Sequence, residues 1–238
     1  MKLTLVRRQH QTHNIESFYF KPAEPLHPVA GQYLHYILPH DGVDNRGDNR
    51  YFTISASPTE TEIALTTKFS EPGSSFKRAL QRLSIGQTIE ADGLDGDFVL
   101  PLDPNQAVIF VAGGVGITPF RSMLKYIVDT NFSTPVHLIY GCRSERDIPF
   151  KDELDTWAAS HPNIAITYVL GNASADWLGE RGNLSGETIL RLAGTVDNRP
   201  VYLSGPEPMV KSLKQQLIDA GVSPTEIKMD DFPGYINV

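Results

Sequence analysis

The feature that most constrains this chain lies at residues 107–112, Ala-Val-Ile-Phe-Val-Ala. This uninterrupted apolar run ends in Gly113-Gly114 and is followed by Phe120, Met123, Leu124, Ile127 and Val128 at helical spacing. A continuous apolar run bounded by turn residues is a strand buried on both faces, and such a strand needs helices packed over it. The pattern recurs. Residues 136–140, 164–170, 201–203 and 227–229 read as further strands, and 150–157 and 206–220 as further helices. Strands alternating with helices predict a parallel sheet with helical crossovers.

Residues before 100 behave differently. Short β-prone runs at 3–6, 16–20, 32–38, 63–68, 88–91 and 98–100 are separated by turn residues such as Gly31, Asp41-Gly42, Ser57-Pro58 and Pro72-Gly73. That spacing predicts a small antiparallel sandwich or barrel. One helix interrupts it, with Phe76, Ala79, Leu80 and Leu83 on one stripe and Gly86 as its stop. Pro101-Leu102-Asp103-Pro104 is a stiff linker. Two domains are therefore expected, 1–100 and 106–238.

Composition narrows the function classes. The formal net charge of −7 argues against a nucleic-acid binder that works through bulk positive charge. Cys142 is the single cysteine, which excludes a disulfide framework, an all-cysteine zinc site and a cysteine-ligated iron–sulfur cluster. His10-x-x-His13 has no further ligands beside it, so no metal site is expected. No apolar run approaches the ~18 residues of a membrane span, and the opening residues lack the apolar core of a signal peptide. A cytoplasmic protein with no membrane insertion is expected.

Four places carry chemistry. Gly113-Gly114-Val115-Gly116-Ile117-Thr118-Pro119 joins a buried strand to a helix; it reads equally as a bare turn or as a loop whose backbone meets a pyrophosphate. Arg50-Tyr51-Phe52-Thr53 offers a guanidinium fork, an aromatic on the same strand face as Arg50, and a hydroxyl. Gly73-Ser74-Ser75 opens the lone helix of the first half, where serines serve as caps or as phosphate ligands. Ser204-Gly205-Pro206 is another strand-to-helix turn, at the strand end where open parallel sheets bind ligands.

In order and separation these motifs resemble the ferredoxin–NADP reductase superfamily over essentially the whole chain. That family's R-x-[YF]-[ST] stands as Arg50 to Thr53, its G-G-x-G-x-T-P loop as Gly113 to Pro119, and its G-Q-[YF] strand as Gly31-Gln32-Tyr33. Its G-P-x-G-x-F stands as Gly93-Leu94-x-Gly96-x-Phe98, with Leu94 in place of proline, and Ser204-Gly205-Pro206 stands where relatives often have Cys-Gly-Pro. The resemblance implies an N-terminal antiparallel Greek-key β-barrel that binds FAD and a C-terminal Rossmann-like α/β domain that binds NAD(P)H.

It also implies roles. Arg50 clamps the pyrophosphate, Phe52 packs against the flavin beside Tyr51, and Thr53 lies near flavin N5. Thr67, Lys68, Gly73, Ser74 and Ser75 complete the FAD site, with Ser75 preferred to Ser74 as the phosphate contact. Gly114, Gly116, Thr118, Pro119, Gly205 and Pro206 form the nucleotide loops. Thr53 and Ser204 stand at the reacting rings. Asp230 and Phe232 reach back to the flavin from the C-terminal end, with Tyr235 as a weaker candidate. Arg143 and Ser144 select the nucleotide, and with Arg146 they favour NADPH, although Glu145 opposes a 2′-phosphate.

The expected reaction is hydride transfer from NAD(P)H to FAD, then electron delivery to a separate acceptor such as ferredoxin or flavodoxin. A free-flavin or quinone reductase, with a small-molecule acceptor, and a non-enzymatic electron-transfer subunit are the alternatives. Lys77, Arg78 and Arg82, with Lys68, Arg7 and Arg8 nearby, are the expected docking patch for an acidic carrier.

Overall fold

The computed structural model describes residues 1–196 and 198–232. Six antiparallel strands come first: β1 (Lys2–His10), β2 (Ile15–Pro22), β3 (Tyr33–Ile37), β4 (Asn49–Thr53), β5 (Ile63–Lys68) and β6 (Thr88–Asp95). Their order is β4-β3-β6-β1-β2-β5. A bridge between Ile54 and Leu65 joins the two edges and closes the sheet on itself. Of the sandwich or barrel that the short runs predict, this is the barrel, as the family resemblance implies. Its inside is filled by Leu3, Leu5, Phe18, Phe20, Leu34, Tyr36, Leu65 and Ile89.

Helix α1 (Ser75–Arg82) closes one end of the barrel with Phe76 and Leu80 buried. The Ser74 hydroxyl caps it by accepting from the Lys77 N–H at 3.2 Å. The helix stops earlier than Gly86 implies: Leu83 turns extended and buries its side chain, and Gly86 makes a later positive-φ turn. Residues 98–100 are not a strand. Phe98 leaves the barrel to pack on Phe120 and Tyr202, and the Tyr202 hydroxyl takes the Val99 carbonyl at 2.8 Å.

The second sheet is wholly parallel, in the order β10-β9-β8-β7-β11-β12. Its strands are β7 (Val108–Gly113), β8 (Val136–Cys142), β9 (Ile164–Leu170), β10 (Glu180–Arg181), β11 (Val201–Pro206) and β12 (Ile227–Phe232). Helices α2 (Thr118–Thr130) and α3 (Lys151–Ser160) cover one face; α4 (Gly186–Ala193) and α5 (Glu207–Asp219) cover the other. Phe110, Leu138 and Tyr140 point to the first face and Ile109, Val111 and Ile139 to the second, so the central strand β7 is apolar throughout. Among the described residues no helix is long and apolar enough to cross a membrane.

Candidate functional site

The chain steps outward from β7 through β8 and β9 to β10, then returns to lay β11 on the other side of β7. In an open α/β sheet such a reversal leaves a crevice beyond the strand carboxyl ends. Here Gly113 ends β7 and Ser204-Gly205-Pro206 ends β11. A single 3-10 turn, Gly114–Ile117, separates β7 from α2. Gly114 has φ +52°, and a Cβ placed on it would meet nothing within 4 Å, so the backbone faces open space there. Gly116 is needed for a different reason: its Cβ would sit 2.3 Å from the Ser204 carbonyl oxygen. The Tyr140 hydroxyl steadies the turn by donating to the Gly114 carbonyl at 2.8 Å. Thr118 and Pro119 are buried in the first turn of α2; they shape the loop and present no surface. Gly205 and Pro206 are buried as well.

The barrel meets this crevice at Thr53. Its hydroxyl donates to the Asp230 carboxylate at 3.3 Å, across 177 positions of sequence. Asp230 pairs in register with Ser204, whose buried hydroxyl lies beside the carboxylate and favours its charged form. Burial pushes the Asp230 carboxyl up to about 6, and the Asp231 charge adds to this against the Thr53 hydrogen bond. Phe232 ends the same strand, half-buried and paired with Pro206. Thr67 and Lys68 close β5. Thr67 is buried, and the Lys68 charge is felt at Cys142, whose thiol burial pushes up to about 12. Tyr235 lies outside the described residues.

A second constellation lies at the start of α1. Arg50 Nη1 donates to the carbonyls of Arg46 at 2.7 Å and Gly47 at 3.3 Å and to that of Asn49, while its buried Nη2 has no hydrogen bond. Burial lowers this guanidinium's pKa, as expected for a cation with too few partners. Phe52 is half-buried and packs between Tyr36 and Phe76. Tyr51 points to the opposite face, is 65% exposed and stacks on His35. Gly73 precedes the cap, and its carbonyl accepts from Arg78. Ser74 is committed to the helix cap, whereas the Ser75 N–H and hydroxyl both face Asp44. Asp44 went unread in the sequence, because nothing local in a polar loop marks a contact 31 positions away.

Beyond β8 the turn holds Arg143 and Ser144. The Ser144 hydroxyl is already bonded to Asp147 at 2.5 Å, and Glu145 accepts from the Ser174 N–H and hydroxyl at 3.0 and 2.6 Å.

Residues 110–215 match the family model described as oxidoreductase NAD-binding domain. An NADH-cytochrome b5 reductase 1 of Mortierella alpina is 30% identical over 92% of this chain and 74% of its own length. The ferredoxin–NAD(P)(+) reductase component of the naphthalene 1,2-dioxygenase/salicylate 5-hydroxylase systems of Ralstonia sp is 27% identical over 98% of this chain and 69% of its own.

The chain belongs to the ferredoxin–NADP reductase superfamily.

The fold agrees. An Amycolatopsis cytochrome P450 reductase superposes with a TM-score of 0.84, at 22% identity, over 98% of this chain and 70% of that one. The superfamily is one of oxidoreductases that bind FAD and NAD(P)H. The chain spans 56% to 69% of the length of the first three curated relatives it matches. The residues present fit both cofactors. Arg50 Nη2, which makes no hydrogen bond and lies 3.8 Å from Asp44, sits at the start of α1, where amide groups favour an anion. Gly114 leaves its crevice open to a close-lying ligand.

Proposed function

We propose that the protein is a reductase that oxidises NAD(P)H and delivers the electrons through bound FAD to a separate acceptor, ferredoxin or flavodoxin being the carriers we favour. Residues 1–100 would hold the FAD and residues 106–238 the pyridine nucleotide. The observation that carries this reading is the Thr53–Asp230 contact, which sets the end of the arginine-bearing barrel strand against the switch-point crevice of the parallel sheet. Two rings held there would meet face to face, and proximity of that kind is the main catalytic contribution such a site makes.

The chain's own residues divide the work. Arg50 and the first amides of α1 bind the pyrophosphate of FAD; Phe52 packs against the cofactor, Tyr51 lies on the outer face of the same strand, and Thr53 hydrogen-bonds the ring's polar edge. Gly114 and Gly116 let the nucleotide backbone lie against the turn after β7, with Gly205 and Pro206 closing the opposite wall. Ser204 and Asp230 supply the hydroxyl and the carboxyl at the junction. Arg143 and Ser144 face the far end of the nucleotide. The relatives' names support electron delivery to a partner protein, since one is a component of oxygenase systems and another reduces cytochrome b5.

Purified protein should be yellow and should release FAD on denaturation. Release of FMN alone, or a colourless protein that FAD cannot reconstitute, would overturn the reading. Arg50→Ala should weaken FAD binding about 10- to 100-fold, the scale of a charge-assisted hydrogen bond pair.

A further inference from the structure

The donors that should hold the pyrophosphate of FAD already converge on an anion that belongs to the chain. The Ser75 N–H at the start of α1 donates to Asp44 Oδ2 at 2.8 Å, and Arg46 Nη2 donates to the same oxygen at 2.9 Å. The Arg46 N–H donates to Oδ1 at 3.0 Å, and Arg50 Nη2 lies 3.8 Å from that oxygen. In return the Ser75 hydroxyl accepts from the Asp44 N–H at 3.0 Å. A helix-start amide and two guanidinium groups are the donor set that binds a phosphate oxygen. Here a carboxylate fills that place. The hydrogen bond from Ser75, with Arg46 beside it, holds the Asp44 carboxyl well below the ordinary carboxylate range, so it is an anion at any working pH.

We propose that Asp44 is an internal stand-in for the pyrophosphate, which holds the site closed in the apoprotein and must swing away before FAD seats; this rests on the FAD reading given above. Carboxylate and pyrophosphate cannot share the site. Both are anionic, both need the Ser75 N–H, and an N–H serves one acceptor well. The segment carrying Asp44 is built to move. Residues 39–48 are exposed or half-exposed, and Gly42 and Gly47 sit at φ +67° and +79°, Gly42 with nothing within 4 Å of where its Cβ would be. A groove of about 610 Å³ runs between Pro39, His40 and Asp41 of the segment and Ser75, Arg78, Ala79 and Arg82 of α1.

The consequence is thermodynamic. Whatever Asp44 contributes to the closed apoprotein is subtracted from FAD affinity, because only the opened fraction binds. The test is a titration of apoprotein with FAD, followed by the loss of FAD fluorescence on binding, and by apoprotein melting. Wild type, Asp44→Ala, Asp44→Asn and Asp41→Ala are compared; Asp41 is a neighbouring exposed carboxylate. Asp44→Ala and Asp44→Asn should bind FAD about tenfold tighter, the scale of one charged hydrogen bond. Their apoproteins should melt lower than wild type, and saturating FAD should narrow that gap. Asp41→Ala should match wild type in both measurements. Asp44→Asn keeps the side-chain shape, so it carries the test should Asp44→Ala fail to fold. Unchanged or weaker FAD binding in both Asp44 variants, with wild type binding normally, overturns the stand-in and leaves the FAD reading intact. An equal gain in Asp41→Ala overturns it in favour of a bulk-charge effect. Failure of every protein, wild type included, to bind FAD overturns the FAD reading and the stand-in with it.

Discussion

Asp230 is the residue at which the two halves of the molecule become chemically dependent on each other. Its carboxyl is raised from the ordinary 3.8 to about 6 by burial, with the Asp231 charge adding and the Thr53 hydroxyl opposing. The sign follows. Between those two values the folded protein holds a proton that the unfolded chain has released, so folding stability falls as pH rises from about 4 to about 6. Asp230→Asn should remove that slope, and melting temperature measured against pH in wild type and variant checks it; parallel profiles would show that Asp230 titrates as an ordinary surface acid. Single residues of this kind were only half legible in the sequence. Motif order singled out Arg50, Thr53, Ser204 and Asp230, which the structure places in β4, β11 and β12, with Ser204 inside its strand and not in the turn expected of it. What it could not show is that Thr53 meets Asp230 and that Asp44 meets Ser75, since these depend on how distant segments pack.

At the scale of elements, the turn after β8 is where the proposed function puts the choice of nucleotide. Ser144 was expected to greet a 2′-phosphate, but its hydroxyl is held by Asp147 at 2.5 Å, and Asp147 also lies 3.5 Å from His13 of the barrel. A carboxylate beside Ser144 repels a phosphate and opposes what Arg143 and Arg146 would attract. Asp147→Asn should therefore raise kcat/KM for NADPH relative to NADH by about three- to tenfold, a shift of roughly 1 kcal/mol for a partly exposed charge. An unchanged ratio would place the 2′-position elsewhere. Elements with strong apolar periodicity, such as β5, β7, β9 and α2, were readable because their own residues decide their state. The two-residue β10 had no such signal, and it exists only as a parallel partner of β9. Helix α4 carried one that local reading passed over, Ser185 three residues before Thr188, whose N–H it caps at 3.1 Å. Residues 98–100 misled for the opposite reason: β-prone side chains there are claimed by the core of the neighbouring unit.

Across the whole molecule the two units are bolted together beside the site. Arg121 of α2 is 4% exposed; it donates to the Ser55 carbonyl at 3.0 Å, to Glu60 of the barrel and to Glu153 of α3 at 2.8 Å. Ser122 adds a bond to the Ala56 carbonyl at 2.7 Å. The helix that follows the nucleotide turn is thus fixed to the segment just beyond Thr53, so reduction by NAD(P)H should be insensitive to events on the outer surface of the barrel. Electron delivery should not be. The chain carries −7, and an acidic carrier must find a local positive region to dock productively. Helix α1 presents Lys77, Arg78 and Arg82, and it starts where Arg50 would hold FAD. Part of that charge is already engaged: Lys77 donates to the Lys68 carbonyl at 2.6 Å, Arg78 to the Gly73 carbonyl, and Arg8 to Glu16 at 2.8 Å. The Gly73 contact holds Arg78 in place without neutralising it, since a carbonyl carries no formal charge. Reversing Arg78 and Arg82 to glutamate should therefore slow reduction of an acidic carrier protein about tenfold or more, within the range that steering gives to association rates. Wild-type carrier reduction should slow as salt rises, because exposed charges are screened over ~8–10 Å at ordinary ionic strength. Stopped-flow measurement of the first half-reaction, with NAD(P)H alone, should show no change in the variant. Carrier reduction that ignores both the substitutions and the salt would remove α1 as the docking face and favour a small-molecule acceptor.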